Sequence, residues 1–147
     1  MKSRGQRNNN PLNIDQSGNA WQGKVKPSQD KRFETFVSLP YGYRAAIKTM
    51  QTYIRKYGLN TIYKIINRWA PAEDSNNPVS YANNVCKIIN ERLGGNVTPD
   101  TVVSVNSKDL LTKMAYAMSL IENGDKEYAR MLGLPNMDVI NIAWGLI

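Results

Sequence analysis

The chain has 147 residues, 41% apolar and 21% charged, the composition of one ordinary globular domain rather than of a disordered chain. It contains no histidine and a single cysteine, Cys86. That excludes His-based general bases, most Ser or Cys triads, nearly all zinc sites and any internal disulfide. The net charge is +7, with seven Lys/Arg against two Asp in residues 1–32, a surface that attracts polyanions: nucleic acid, an anionic membrane or the anionic polymers of a bacterial wall.

In chain order, the N-terminus carries Lys2, Arg4 and Arg7 with no apolar segment behind them, so no signal peptide is expected. Residues 1–37 read as irregular or weakly β. Asn8-Asn9-Asn10-Pro11 and Asp15-Gln16-Ser17-Gly18-Asn19 are turn formers, because Asn and Asp bond their own backbone and tolerate left-handed conformations. Ala20–Lys26 and Arg32–Val37 suit two short strands paired as a hairpin around Pro27-Ser28-Gln29-Asp30. From Tyr41 the period is helical: Ala45, Ala46, Met50, Tyr53, Ile54 and Tyr57 recur three and four apart, and Gly58 stops the helix. Thr61 caps a second helix, Ile62–Trp69, ended by Ala70-Pro71. Asn77 caps a third that begins at Pro78, buries Tyr81, Val85, Ile88 and Ile89, and ends at Gly94-Gly95.

Thr98–Val105 is a connector with a short extended piece. Ser107 caps a fourth helix from Lys108 to about Glu122, with Leu110, Leu111, Met114, Ala115, Met118 and Ile121 on its apolar face and Gly124 after it. Two shorter helices follow, Lys126–Leu132 and Met137–Leu146. No stretch reaches the ~18 apolar residues of a membrane span, so no membrane insertion is expected. The expectation is a mostly α fold, formally α+β, with a small β-hairpin near the N-terminus and one domain over residues 1–147.

No glycine loop of a phosphate-binding pattern is present, and no cofactor is expected. The chemistry left is that of carboxylates, amides and hydroxyls. Glu122 ends a strongly apolar helix, one residue after core-facing Ile121. It is either a partly desolvated acid with a raised pKa, suited to proton donation, or a solvated residue of the last turn, where its charge opposes the helix dipole. Glu34, between Phe33 and Phe36, is the next candidate, with Glu73 and Asp74 behind it. Asn9, Asn10 and Asn13 offer donors and acceptors that suit sugar hydroxyls and acetamido groups, or simply shape a turn. Trp21 presents a flat face to a sugar ring or anchors the core. Most of Tyr41, Tyr43, Tyr53, Tyr57, Tyr63, Tyr81 and Trp69 belong to the core at their helical spacing, and the remainder suit the wall of a groove. Cys86, within Val85-Cys86-Lys87-Ile88-Ile89, is a packed thiol.

Several motifs together resemble one family: Arg4-Gly5-Gln6-Arg7-Asn8-Asn9-Asn10-Pro11-Leu12-Asn13-Ile14, Trp21-Gln22-Gly23, Phe33-Glu34-Thr35-Phe36, Gly42-Tyr43-Arg44-Ala45, Tyr57-Gly58-Leu59-Asn60-Thr61-Ile62 and Arg68-Trp69-Ala70-Pro71. It is a family of small phage and prophage virion proteins, structural or lytic, and the resemblance covers about residues 4–124. One departure is Ser75 before Asn76-Asn77-Pro78, where relatives are expected to carry Glu. A second resemblance is to lysozyme-like glucosaminidases and lytic transglycosylases, in which a helix ends in a catalytic Glu and an Asn-rich loop follows. Here Asn9-Asn10-Pro11-Leu12-Asn13-Ile14 is similar to that loop, and Glu122-Asn123-Gly124 is similar to that helix end. The two stand in reversed order, as in a circular permutation of a lysozyme-like domain.

The resemblance implies an enzyme that cleaves the β-1,4 glycan of bacterial peptidoglycan, carried in a virion with other virion proteins or made in the host cytoplasm during infection. Glu122 would be its acid, Glu34 or Asp30 the partner a hydrolase requires, and Asn9, Asn10, Asn13, Trp21, Tyr43 and Tyr81 would hold substrate. A lytic transglycosylase requires no partner. The rivals are a non-catalytic virion protein and a nucleic-acid-binding protein. The latter expects Lys2, Arg4, Arg7, Lys24 and Lys26 on one face.

Overall fold

A computed structural model describes residues 2–71, 76–124 and 135–147. Among these residues it contains six helices: α1 (Arg4–Arg7), α2 (Leu39–Tyr57), α3 (Ile62–Trp69), α4 (Pro78–Arg92), α5 (Lys108–Asn123) and α6 (Met137–Gly145). The expected helix at Lys126–Leu132 lies outside the described residues. The helix starts follow local chemistry. The side chains of Thr61, Asn77 and Ser107 each accept a hydrogen bond from a backbone N–H of the first turn, relieving donors that have no intrahelical partner. Asn136 does the same for α6. At the end of α2, Gly58 adopts φ 65° and its N–H returns to Ile54 O, the left-handed stop that glycine permits without strain.

The central element is α5, which buries Leu111, Met114, Ala115, Ala117 and Met118. It is packed by α2, α4 and α6, and α3 closes on α4. Ile47, Met50, Ile62, Ile65, Ile66, Val85 and Ile89 complete a core with no solvent access, and truncating any of them to alanine would cost about 1–5 kcal/mol in transfer and cavity energy. Tyr43 belongs to this core: it is fully buried and its hydroxyl is 3.0 Å from Ser119 Oγ. Tyr57, by contrast, ends the α2 stripe exposed.

Two sequence expectations for the N-terminal segment change. Arg4–Arg7 forms a single helical turn closed by a reciprocal cap, in which Ser3 Oγ accepts from Gln6 N and Gln6 Oε1 accepts from Ser3 N. The two expected strands touch at one isolated antiparallel bridge, Lys24–Phe36, and a second bridge joins Asp15 to Phe33. Side chains take the bonds that a ladder would use. Ser28 Oγ donates to Phe33 O, and Asp30 Oδ1 accepts from the backbone N–H groups of Arg32 and Phe33.

This irregular layer lies against the helices through close contacts. A Cβ at Gly42 would collide with Asn9 O, so the absence of a side chain there lets the Asn-rich segment rest on α2. A Cβ at Gly5 would collide with Asn123 Oδ1 at the end of α5. Asn123 fastens the two parts, its amide donating to Pro11 O at 2.7 Å and Ser119 O at 2.8 Å while its Oδ1 accepts from Ser3 Oγ at 2.6 Å.

Candidate active site

Glu122 occupies the last turn of α5, half-buried, beside the residue that fastens the N-terminal segment. Two side chains donate to its carboxylate: Asn13 Nδ2 to Oε2 at 3.3 Å, and the Tyr81 hydroxyl of α4 to Oε1 at 3.2 Å. Burial pushes the Glu122 carboxyl above its ordinary value, against the pull of Asn13, Tyr81 and the charge of Arg32. Burial and the neighbouring Glu122 hold the Tyr81 hydroxyl far above the usual phenol range, so it remains a donor at any working pH. The group is therefore an acid with two fixed hydrogen bonds and a weakened tendency to ionise.

Asn13 is presented by a loop with two left-handed residues, Asn9 at φ 50° and Asn13 at φ 52°, a conformation Asn tolerates better than most residues. Asn10 builds that loop. It is fully buried, its amide donates to Ile14 O and Glu34 O, and its carbonyl accepts from Ile14 N. Asn9 donates to Phe36 O. Of the three Asn expected to hold substrate, Asn9 and Asn10 are therefore occupied with backbone, and Asn13 alone reaches the carboxylate.

Asn13 also lines a cleft of about 250 Å³ whose walls include Ile14, Asp15, Trp21, Thr49, Tyr53 and Trp69. A larger hollow of about 500 Å³ shares Asn19, Trp21, Thr49 and Tyr53 with it and extends to Tyr57, Arg44, Lys48 and Arg68. Two buried polar atoms of described residues have no hydrogen-bond partner, Asn13 Oδ1 and Trp21 Nε1. Both belong to residues that line this cleft. Tyr53 and Trp69 belong to the aromatic set read from the sequence, whereas Asp15 appears there only as a turn former and Thr49 not at all.

The remaining candidates are placed elsewhere. Tyr43, expected to line the cleft, is in the core because its position on α2 faces α5. Glu34 is buried and bound by the Lys24 ammonium at 3.0 Å, with a further bond from Ser17 N. Asp30 accepts from Nε and Nη2 of Arg4, each at 2.7 Å, and with its backbone bonds this holds its carboxyl far below the usual range. Both carboxylates serve the N-terminal layer. Asp15 is the carboxylate that lines the cleft, exposed and paired with Arg32 at 2.9 Å. Glu73 and Asp74 lie outside the described residues.

The face expected for nucleic acid is divided. Lys2, Arg4 and Arg7 share one polar hollow with Lys31, but the Lys24 ammonium turns to Glu34, Ser17 O and Asn19 O. Among the described residues no group of three or more metal-ligating side chains occurs, and no helix is long and apolar enough to cross a membrane.

No family model matches the chain. Over 131 residues it is 36% identical to Protein P5 of Pseudoalteromonas phage PM2, an alignment that spans 86% of this chain and 74% of that protein.

Proposed function

The chain belongs to the family of the phage protein P5, and on that premise we propose that it is a phage enzyme that cleaves the β-1,4 glycan of peptidoglycan with Glu122 as its acid. The observation that carries this reading is the hydrogen bond to Glu122 from Asn13, a residue that lines an aromatic cleft. Burial moves the Glu122 carboxyl above its ordinary value, the direction needed by an acid that protonates a glycosidic oxygen. Trp21, Tyr53 and Trp69 offer faces for sugar rings.

A single-carboxylate course suits the site. Glu122 protonates the O4 oxygen of the departing sugar as its bond to C1 breaks. The resulting carboxylate then takes the proton of the 6-hydroxyl, whose oxygen bonds to C1 and closes a 1,6-anhydro ring. The positive potential from +7 charges suits an anionic wall, and peptidoglycan and other virion proteins are the partners this reading implies. A hydrolase is the second reading, favoured by one observation: Asp15 lines the cleft beside Asn13.

The test is digestion of purified peptidoglycan by the wild type and by Glu122→Gln, with fragments identified by mass. The wild type should release 1,6-anhydro muropeptides, and the variant should lose about 10²-fold or more of that rate. Products with free reducing ends, lost in Asp15→Asn, would assign the hydrolase instead. A folded wild type that releases nothing, or a variant that cuts equally well, overturns the assignment and leaves a non-catalytic virion protein.

A further inference from the structure

Trp21 and Tyr53 are walls of two hollows at once. The cleft beside Asn13 is aromatic and carries one acid, Asp15. The larger hollow carries no carboxylate and three cations, Arg44, Lys48 and Arg68. Four basic side chains elsewhere are paired with acids: Arg4 with Asp30, Lys24 with Glu34, Arg32 with Asp15 and Lys113 with Asp109. Arg44, Lys48 and Arg68 have no acidic partner among the described residues, although they surround a space of only about 500 Å³.

Their positions are supported. Arg44 Nε donates to Leu146 O at 3.2 Å, and the Arg68 guanidinium lies 4.3 Å from the centre of the Tyr57 ring and 5.5 Å from that of Tyr53. Three like charges around one concavity repel each other, and that repulsion is relieved by an anion in the hollow. The flat forks of Arg44 and Arg68 match a carboxylate. A nucleic acid would need cations along a track. These border one hollow, which shares Trp21 and Tyr53 with the cleft assigned to a sugar ring.

We propose that this hollow binds the carboxylate-bearing stem peptide that branches from the wall glycan, so that the protein prefers peptide-substituted strands to bare ones. This rests on the reading that the adjoining cleft takes a glycan strand. Sugar rings lie along Trp21, Tyr53 and Trp69, and the peptide leaves the ring across Tyr53 toward Lys48 and Arg68.

Binding to the Glu122→Gln protein, which removes turnover, tests this by titration with a soluble disaccharide–tetrapeptide from peptidoglycan and with the same disaccharide lacking its peptide. The peptide-bearing form should bind about tenfold or more tightly, the gain of one or two charge-assisted hydrogen bonds. Lys48→Gln with Arg68→Gln, both at the surface and outside the core, should remove that preference while leaving the bare disaccharide unchanged. Equal affinity for the two ligands, or an equal loss on both in the double variant, overturns the subsite and leaves the glycan cleft standing. Failure of both ligands to bind overturns the cleft reading with it. A short single-stranded oligonucleotide that binds this hollow more tightly than the peptide-bearing ligand overturns the proposal in favour of nucleic acid.

Discussion

Asn13 and Glu122 are 109 residues apart in the chain, and the Asn13 amide donates to Glu122 Oε2 at 3.3 Å. The contact depends on two features of different origin. Asn13 sits in the left-handed region at φ 52°, which aims its side chain, and Asn123 pins the loop to the end of α5 through Pro11 O. The Asn13 and Tyr81 donors stabilise the ionised carboxylate, whereas burial stabilises the protonated one, and burial prevails.

Removing either donor should move the acid further. In Asn13→Gly, which keeps the left-handed backbone accessible, and in Tyr81→Phe, the Glu122 pKa rises above its wild-type position. Activity that depends on protonated Glu122 falls as pH rises through that pKa. The alkaline limb of the pH–rate profile should therefore shift to higher pH in both variants, and an unchanged limb would separate that limb from Glu122.

The same shift has a consequence for stability. A carboxyl raised in the folded state contributes stability below the unfolded carboxylate pKa of about 4.3, and that contribution is lost as pH rises through the folded value. Glu122→Gln removes a half-buried charge, so its Tm should exceed that of the wild type above the folded pKa. Below about pH 4 the two curves should converge, and thermal melts across this range decide it.

Lys24 and Glu34 form the buried ion pair of the N-terminal layer. Lys24→Met leaves an uncompensated carboxylate and should cost about 3–5 kcal/mol in denaturant titration. Adding Glu34→Gln should recover most of that loss. If the double variant also digests peptidoglycan at the wild-type rate, Glu34 has no part in the reaction.

Two glycine-to-alanine changes should have opposite signs. At Gly42 the new methyl meets Asn9 O and Pro11 Cδ, and the overpacking should cost about 1–3 kcal/mol and loosen the Asn-rich loop. At Gly145, with nothing within 4 Å of the added carbon, alanine should be neutral or stabilise by up to about 1 kcal/mol. Urea midpoints compare the two directly.

Local sequence settles what depends on near neighbours. Thr61, Asn77 and Ser107 cap their helices within four residues, Gly58 stops α2 through its own φ, and the apolar spacing of α5 marks its buried face. Periodicity names the face of a helix that is buried but not what lies across from it. Only the tertiary structure separated Tyr43, whose hydroxyl meets Ser119 in the core, from Tyr81, whose hydroxyl meets Glu122. It likewise separated Asn10, whose amide is consumed by Ile14 and Glu34, from Asn13, which faces the cleft. It turned the expected hairpin into single bridges, because Ser28 and Asp30 bind backbone groups that a strand ladder would have used. The physical reason is range: caps and turns are settled by bonds a few residues long, whereas Glu122 acquires its burial and both its donors from segments 41 and 109 residues away.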